Sequence, residues 1–220
     1  MAESSFANDP VSLPVVETFH SLQGEGAHAG RSAFFIRLGG CSVGCSWCDT
    51  KHSWPAGVHP NQSTAELAAL AQAAADAGAG FVVITGGEPL HHKLDALCAA
   101  LHPLPIHLET SGVDPLSGHF AWITLSPKPH LPPSREALAR CDELKVVVHG
   151  PADLPFAEAM AAAAIQERRS ATGAPTAAPP LLLLQPGWES PAGLAAAIGF
   201  VHHQPGWRLS LQTHKWLGLR

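Results

Sequence analysis

The sequence predicts an α/β fold built on a parallel sheet that is curled or barrel-like. Short apolar runs alternate with helical patterns along the chain, which implies parallel pairing with right-handed crossovers. Phe81–Ile84 is continuously apolar, as in strands covered on both faces. A cysteine-rich loop and a Gly-Gly turn each follow a strand, and sheets of this kind bind ligands at the carboxyl ends of their strands.

Val15–Phe19 and Ala33–Leu38 read as strands, with the cysteine loop after the second. Ser63 or Thr64 caps an Ala-rich helix with Glu66 in its first turn, running to about Ala77 and ended by Gly78. Phe81–Thr85 is a buried strand, followed by a helix from about Leu90 to Leu101. Ile106–Glu109, Trp122–Leu125 and Leu144–Val148 are strands, with a short helix near Ser134–Arg140. Ala152–Arg169 is helical, Leu181–Leu184 and Arg208–Leu211 are strands, and Pro191–His203 is a helix between them. Ser170–Pro180 is too rich in Pro and Ala for a packed element and reads as a mobile surface insert. The βα alternation resumes after it, so residues 1–220 are expected to form a single domain.

Charged residues are only 14% of the chain, against a usual quarter, and the net charge is −5. That balance argues against a protein that grips a nucleic-acid backbone. No apolar run reaches the roughly 18 residues of a membrane span. Met1–Pro14 is polar and lacks the apolar stretch of a signal peptide. Five cysteines, three of them clustered, argue against a disulfide framework and for a reducing, cytoplasmic setting.

The clustered cysteines are Cys41, Cys45 and Cys48, at Cys-x₃-Cys-x₂-Cys spacing. A structural zinc site wants four closed ligands, and an electron-transfer iron–sulfur cube wants four thiolates. Three thiolates on one short loop can hold three irons of a [4Fe–4S] cube and leave the fourth open to a small molecule. The competing reading is a zinc site completed by His52, although Trp47 and Asp49-Thr50 are unlike zinc-knuckle surroundings. In Gly86-Gly87-Glu88-Pro89 the two glycines admit a ligand close to the backbone, Glu88 can accept from an ammonium, and Pro89 can open a helix.

These motifs resemble the radical S-adenosylmethionine (SAM) superfamily. Leu22-Gln23-Gly24-Glu25-Gly26, Cys48-Asp49-Thr50, Ser126-Pro127-Lys128 and Gln212-Thr213-His214-Lys215 resemble, more narrowly, the 7-carboxy-7-deazaguanine synthases. The likeness runs from about Val15 to the C-terminus, apart from the Pro/Ala insert. It implies a shortened, partial (β/α) radical SAM barrel with fewer strands than a full set. It implies a [4Fe–4S] cluster on Cys41, Cys45 and Cys48, with SAM on the open iron. Trp47, Cys48, Asp49, Gly87, Glu88, Ser126, Pro127 and Lys128 would line the SAM site, with Gln185, Pro186, Gly187 and Trp188 meeting it mainly through backbone. Leu22, Gln23, Gly24, Glu25, Arg37 and Thr85 would hold the substrate, joined by the carboxylate of Arg220. Thr50 would place a magnesium ion, which prefers oxygen. The implied reaction is a carbon–nitrogen lyase step on the way to queuosine. 6-Carboxy-5,6,7,8-tetrahydropterin would become 7-carboxy-7-deazaguanine through a 5′-deoxyadenosyl radical. The implied partners are an electron donor such as flavodoxin or ferredoxin and a second copy in a homodimer.

Other readings stay in view. The chain can be another small radical SAM enzyme, such as a glycyl-radical activase, or a zinc or iron–sulfur binding module without catalysis. Glu109 either contacts the SAM ribose or makes a structural hydrogen bond. Cys98 and Cys141 read as small buried groups without chemistry, and the pairs His91-His92 and His202-His203 as solvated faces.

Overall fold

A computed structural model describes residues 11–174 and 176–220. The chain begins with β1 (Ser12–Leu22) and β2 (Ser32–Leu38), an antiparallel pair with Thr18 opposite Ile36 and Leu22 opposite Ser32. Strict βα alternation predicts parallel pairing here. The connection is shorter than the dozen or so residues a parallel crossover needs, so the chain turns straight back. The short β3 (Asn61–Ser63) adds to the outside of β1, also antiparallel. It lacks apolar alternation and left no mark in the sequence.

From β2 onward every pairing is parallel: β4 (Val82–Gly86), β5 (Ile106–Thr110), β6 (Trp122–Leu125), β7 (Glu143–Val148), β8 (Leu181–Pro186) and β9 (Trp207–Leu209). Among the described residues the sheet has the order β3-β1-β2-β4-β5-β6-β7-β8-β9. It does not close on itself, which agrees with a partial barrel.

Among the described residues six α-helices connect or follow the strands: α1 (Thr64–Asp76), α2 (Asp95–Leu101), α3 (Arg135–Arg140), α4 (Leu154–Thr172), α5 (Pro191–His203) and α6 (Thr213–Leu217). Ser63 caps α1 through a full capping box with Glu66, and Ser134 caps α3 by accepting from the Ala137 N–H. The expected helix Leu90–Leu101 is broken into a 3₁₀ turn, Pro89–His91, and then α2. His91 and His92 in that break are not solvated faces: both rings bond to the cysteine loop. α4 runs on to Thr172 and ends at Gly173, whose φ of 65° is left-handed, so the start of the Ser170–Pro180 segment is helical. Pro175, within that segment, and the first ten residues lie outside the described residues. Among the described residues no helix is long and apolar enough to cross a membrane.

The sheet is apolar on both faces, as the continuous strands predicted. Phe34, Ile36 and Leu38 of β2 point to the main core, with Ile84, Leu108, Leu125 and Leu144 beneath the helices. Ala33, Phe35, Phe81 and Val83 form a second cluster on the inner face with Phe19. Side chains alternate along a strand, so the next inward positions are Arg37 on β2, Thr85 on β4, Glu109 on β5 and Lys145 on β7. The inner face is therefore apolar at the start of β2 and β4 and polar at their carboxyl ends, while on β5 and β7 the buried His107 and Glu143 already bring polar groups to it.

Candidate active site

That polar end opens into a cavity of about 700 Å³, lined by Arg37, Thr85, Glu109 and Lys145 among others. The cysteine loop forms one wall. Its backbone is tied by the Gly40 N–H to Ser53 O at 2.7 Å and the Cys41 N–H to Trp54 O at 3.0 Å. Cys45 is buried, Cys41 and Cys48 are half-buried, and all three line the cavity. Burial pushes the Cys41 and Cys45 thiols up, with the Lys128 ammonium opposing the shift at Cys45. Thr50 Oγ1 sits 3.6 Å from Cys48 Sγ, on the same wall. Among the described residues no three His, Cys, Asp or Glu side chains are placed to share one metal ion. His52 is exposed and absent from the cavity wall, so the fourth ligand of the zinc reading is missing. Cys98 and Cys141 are buried in the core, which pushes their thiols to about 11 and about 12.

Gly86 and Gly87 bring the end of β4 against this loop. A Cβ on Gly87 would lie 2.2 Å from the Gly40 carbonyl oxygen and 3.0 Å from Cys41 Cβ. Gly86 has a φ of 132°, accessible to glycine at little cost. Glu88 departs from the expectation that it accepts from a ligand ammonium. Its carboxylate is only 2% exposed and accepts from the Leu90 N–H at 3.1 Å, the Ser111 N–H at 2.8 Å, and the Thr110 and Ser111 hydroxyls. These four donors fill the acceptor positions of a carboxylate. Glu88 thus ties β4 to the end of β5 while it lines the cavity.

The floor is a charged network. Lys145 donates to Glu25 at 2.6 Å and to Glu109 at 2.9 Å, and Gln212 donates to Glu25 at 2.9 Å. Gln23 donates to Glu109 at 3.3 Å and accepts from the Glu25 N–H at 3.1 Å. Burial works against the charge of Glu25, but Lys145 outweighs it and holds the carboxyl at about 2. Burial pushes Glu109 up to about 7; Lys145 opposes this and the Glu25 and Glu143 carboxylates add to it. Burial likewise opposes the Lys145 charge, and Glu109 and Glu25 more than restore it.

On the opposite side Arg37 donates through Nε to Glu17 at 3.0 Å, and the second Glu17 oxygen meets the Arg220 guanidinium at 2.9 Å. Ser21 Oγ donates to a main-chain oxygen of Arg220 at 3.1 Å, which holds Arg220 against β1. Leu22, Gln23, Gly24 and Arg220 all line the cavity. The remaining wall contains Trp47, edge-on to His149 with ring centroids 5.3 Å apart. Lys128 donates to Ser126 Oγ at 2.7 Å, and burial lowers the lysine's pKa. Gln185 accepts from Ser210 Oγ at 2.9 Å, and Gly187 packs against the His149 ring. Trp188 at the rim meets Trp216 at 5.9 Å, and the Lys215 ammonium lies 5.0 Å from the Trp188 ring while it pairs with Asp49. Trp54 lines the cavity too.

Two expected wall residues are elsewhere. Pro127 faces a smaller neighbouring cavity of about 180 Å³, shared by Trp47, Lys128 and His149. Pro186 stays in β8 opposite Val148 and is not a lining residue, because alternation turns it away from the face that Gln185 presents. Conversely Lys145, His149 and Glu17 line the cavity without having been singled out, and His214, quoted only within the Gln212–Lys215 motif, lines it too. Lys145 was detectable, since it sits two residues from both Glu143 and Val147 on a strand ending at the site. Glu17 carried no signal. His149 Nε2 is buried without a hydrogen-bond partner, a nitrogen in the wall that a bound group can satisfy.

The Radical SAM superfamily profile matches residues 35–167. A 7-carboxy-7-deazaguanine synthase of Prochlorococcus marinus is 53% identical, over 94% of this chain and 98% of its own. The enzyme of that name from Synechocystis is 49% identical, over 96% and 95%. Among solved structures, QueE from Escherichia coli superposes with a TM-score of 0.77 at 31% identity, covering 92% of this chain and 95% of that one. With three cysteines beside a cavity at the carboxyl ends of a partial barrel, and relatives this similar over nearly the whole chain, the protein belongs to the radical SAM superfamily and, within it, to the 7-carboxy-7-deazaguanine synthases.

Proposed function

We propose that this cavity converts 6-carboxy-5,6,7,8-tetrahydropterin to 7-carboxy-7-deazaguanine with loss of ammonia. The observation that carries the reading is the convergence of Cys41, Cys45 and Cys48 on one cavity at the carboxyl ends of the strands. Thiolates suit iron, and a cube takes one iron per cysteine where a zinc ion takes all its ligands at one point. Held on Cys41, Cys45 and Cys48, the cluster with SAM would supply the radical chemistry for taking a hydrogen from the substrate.

The chain's own residues orient and isolate the reactants. Gly87, with no room for a Cβ, offers backbone to the SAM ammonium, and Asp49, Ser126, Lys128, Gln185, Gly187 and Trp188 complete that wall. The unpartnered His149 Nε2 and the ring of Trp47 fit an adenosyl group on the same side. Arg37 is the guanidinium for the pterin carboxylate: Glu17 takes its Nε, and the terminal nitrogens address the ligand. Gln23, Glu25 and Thr85 meet the amide and guanidine-like edges of the ring. Glu109 can hold or release a proton near neutral pH beside them. Thr50 supplies one hydroxyl to a magnesium ion whose other ligands are substrate oxygens and water. The terminal carboxylate of Arg220 approaches the substrate from the Arg37 side. We place the enzyme in the cytoplasm, as a homodimer reduced by a flavodoxin or ferredoxin.

The test is anaerobic reconstitution with iron and sulfide, then addition of SAM, dithionite and the carboxytetrahydropterin. Product of the deazaguanine mass is expected. A brown protein that cleaves SAM but leaves the pterin intact would return the reading to another small radical SAM enzyme.

A further inference from the structure

Histidines grip the cysteine loop from several sides. His92 Nε2 lies 2.8 Å from the Gly39 carbonyl and His130 Nε2 lies 2.8 Å from the Val43 carbonyl. In both pairs the ring N–H donates to a carbonyl. His91 has the opposite polarity. The Ser42 backbone N–H donates to its Nε2 at 3.1 Å, and the Ser42 hydroxyl lies 3.0 Å from the same atom. A backbone N–H can only donate, so Nε2 carries the lone pair. The proton of the neutral ring is then on Nδ1, where it donates to Asp114 Oδ2. A carboxylate behind an imidazole is the usual way to fix a tautomer.

Ser42 directly follows Cys41. On the other side the Cys41 N–H is bound to Trp54 O at 3.0 Å, and its Cβ abuts Gly87. The peptide that carries the first cysteine is therefore held at both ends, and His91 supplies one of the two holds. Asp114 comes from the loop after β5 and His91 from the turn after β4, so the hold links three strand ends.

We infer that His91 and Asp114 are positioning residues for the iron–sulfur cluster, locking the Cys41–Ser42 peptide so that the first thiolate is presented in place. The inference rests on the reading that Cys41, Cys45 and Cys48 carry the cluster. It needs no titration of either group, only the acceptor at Nε2.

His91→Phe keeps a ring and removes the acceptor. His91→Gln puts an amide oxygen within reach of the Nε2 position. Asp114→Ala leaves the ring and frees its tautomer. The measurement is the rate at which each reconstituted protein loses its brown colour to an iron chelator, with the electron paramagnetic resonance spectrum of the reduced cluster. His91→Phe and Asp114→Ala are expected to bleach about 10- to 100-fold faster than wild type, with altered spectra. His91→Gln is expected to restore most of the retention. Wild-type bleaching and spectra in both His91→Phe and Asp114→Ala overturn the inference. Should His91→Phe fail to fold, Asp114→Ala decides alone, because Asp114 is only half-buried, in the loop after β5. A wild-type protein that takes up no cluster overturns the proposed function and this inference together; a brown wild type matched by its variants overturns this inference only.

Discussion

Glu25 and Glu109 share one ammonium: Lys145 Nζ lies 2.6 Å from the first and 2.9 Å from the second, deep in the cavity floor. One positive charge faces two carboxyls, so the group has room for a proton. It goes to Glu109, which burial raises to about 7, while Glu25 stays near 2.

The pH dependence follows with a definite sign. Between the ordinary 4.5 and about 7 the folded protein binds more protons at Glu109 than the unfolded chain does, so stability falls as pH rises through that window. The contribution of Glu25 is present above 4.5 and is lost as pH falls from there towards about 2. Denaturant titrations across the upper window are expected to show a decline in wild type that Glu109→Gln lacks. In the rate profile an inflection near 7 is expected for wild type and a displaced one for Lys145→Met. Identical profiles for the three proteins would remove this triad from the active machinery.

Cys45→Ala is expected to abolish the brown chromophore and SAM cleavage. Cys98→Ala and Cys141→Ala should keep both, because these thiols are buried in the core and pushed to about 11 and about 12. Visible absorbance after reconstitution is the check. Loss of colour in the Cys98 variant would mean a fourth protein ligand.

Arg37→Ala is expected to raise the KM for the pterin by the equivalent of about 1.5–3 kcal/mol, the range for hydrogen bonds to a charged group. SAM cleavage without substrate should survive, since Arg37 lies on the Glu17 side of the cavity. Steady-state kinetics on both reactions separates the effects. An unchanged pterin KM would assign Arg37 to the Glu17–Arg220 ion network alone.

Thr50→Val keeps the shape of the side chain and removes the oxygen 3.6 Å from Cys48 Sγ. Magnesium is expected to stimulate turnover less in this variant, while cluster content and SAM binding stay at wild-type levels. The measurement is initial rate against magnesium concentration. Superimposable curves would exclude Thr50 as a ligand.

Much of this architecture was legible in the sequence because it is written in local patterns. The helix at Thr64–Asp76 announced itself through Ser63 and Glu66, and α5 spans the expected Pro191–His203. Local patterns carry no record of what meets in space. Glu88 looked free to meet a ligand, yet its partners Thr110 and Ser111 lie on another strand. His91 and His92 looked solvated because adjacent residues diverge on a helix; the helix is broken there, and both rings turn to the cysteine loop. Lys145 read as part of a strand, and only its pairing with Glu25 and Glu109 shows that its charge faces the cavity. Ser126 and Lys128 line the main cavity and Pro127 the smaller one beside it, a separation that a motif of consecutive residues does not show, because an extended chain sends neighbours to opposite sides.

The tryptophans at the rim give the protein an optical readout of its own. The chain has six tryptophans and no tyrosine, so its near-ultraviolet emission is indole emission. Trp47, Trp54 and Trp188 line the cavity and Trp216 stacks edge-on against Trp188, whereas Trp207 lies in the core. A coloured cluster on Cys41, Cys45 and Cys48, as proposed, would accept their excitation energy, and a ligand at the mouth would change the polarity around Trp188 and Trp216. Loading and ligand entry can therefore be followed in real time on the unlabelled enzyme, with Trp188→Phe identifying the rim signal.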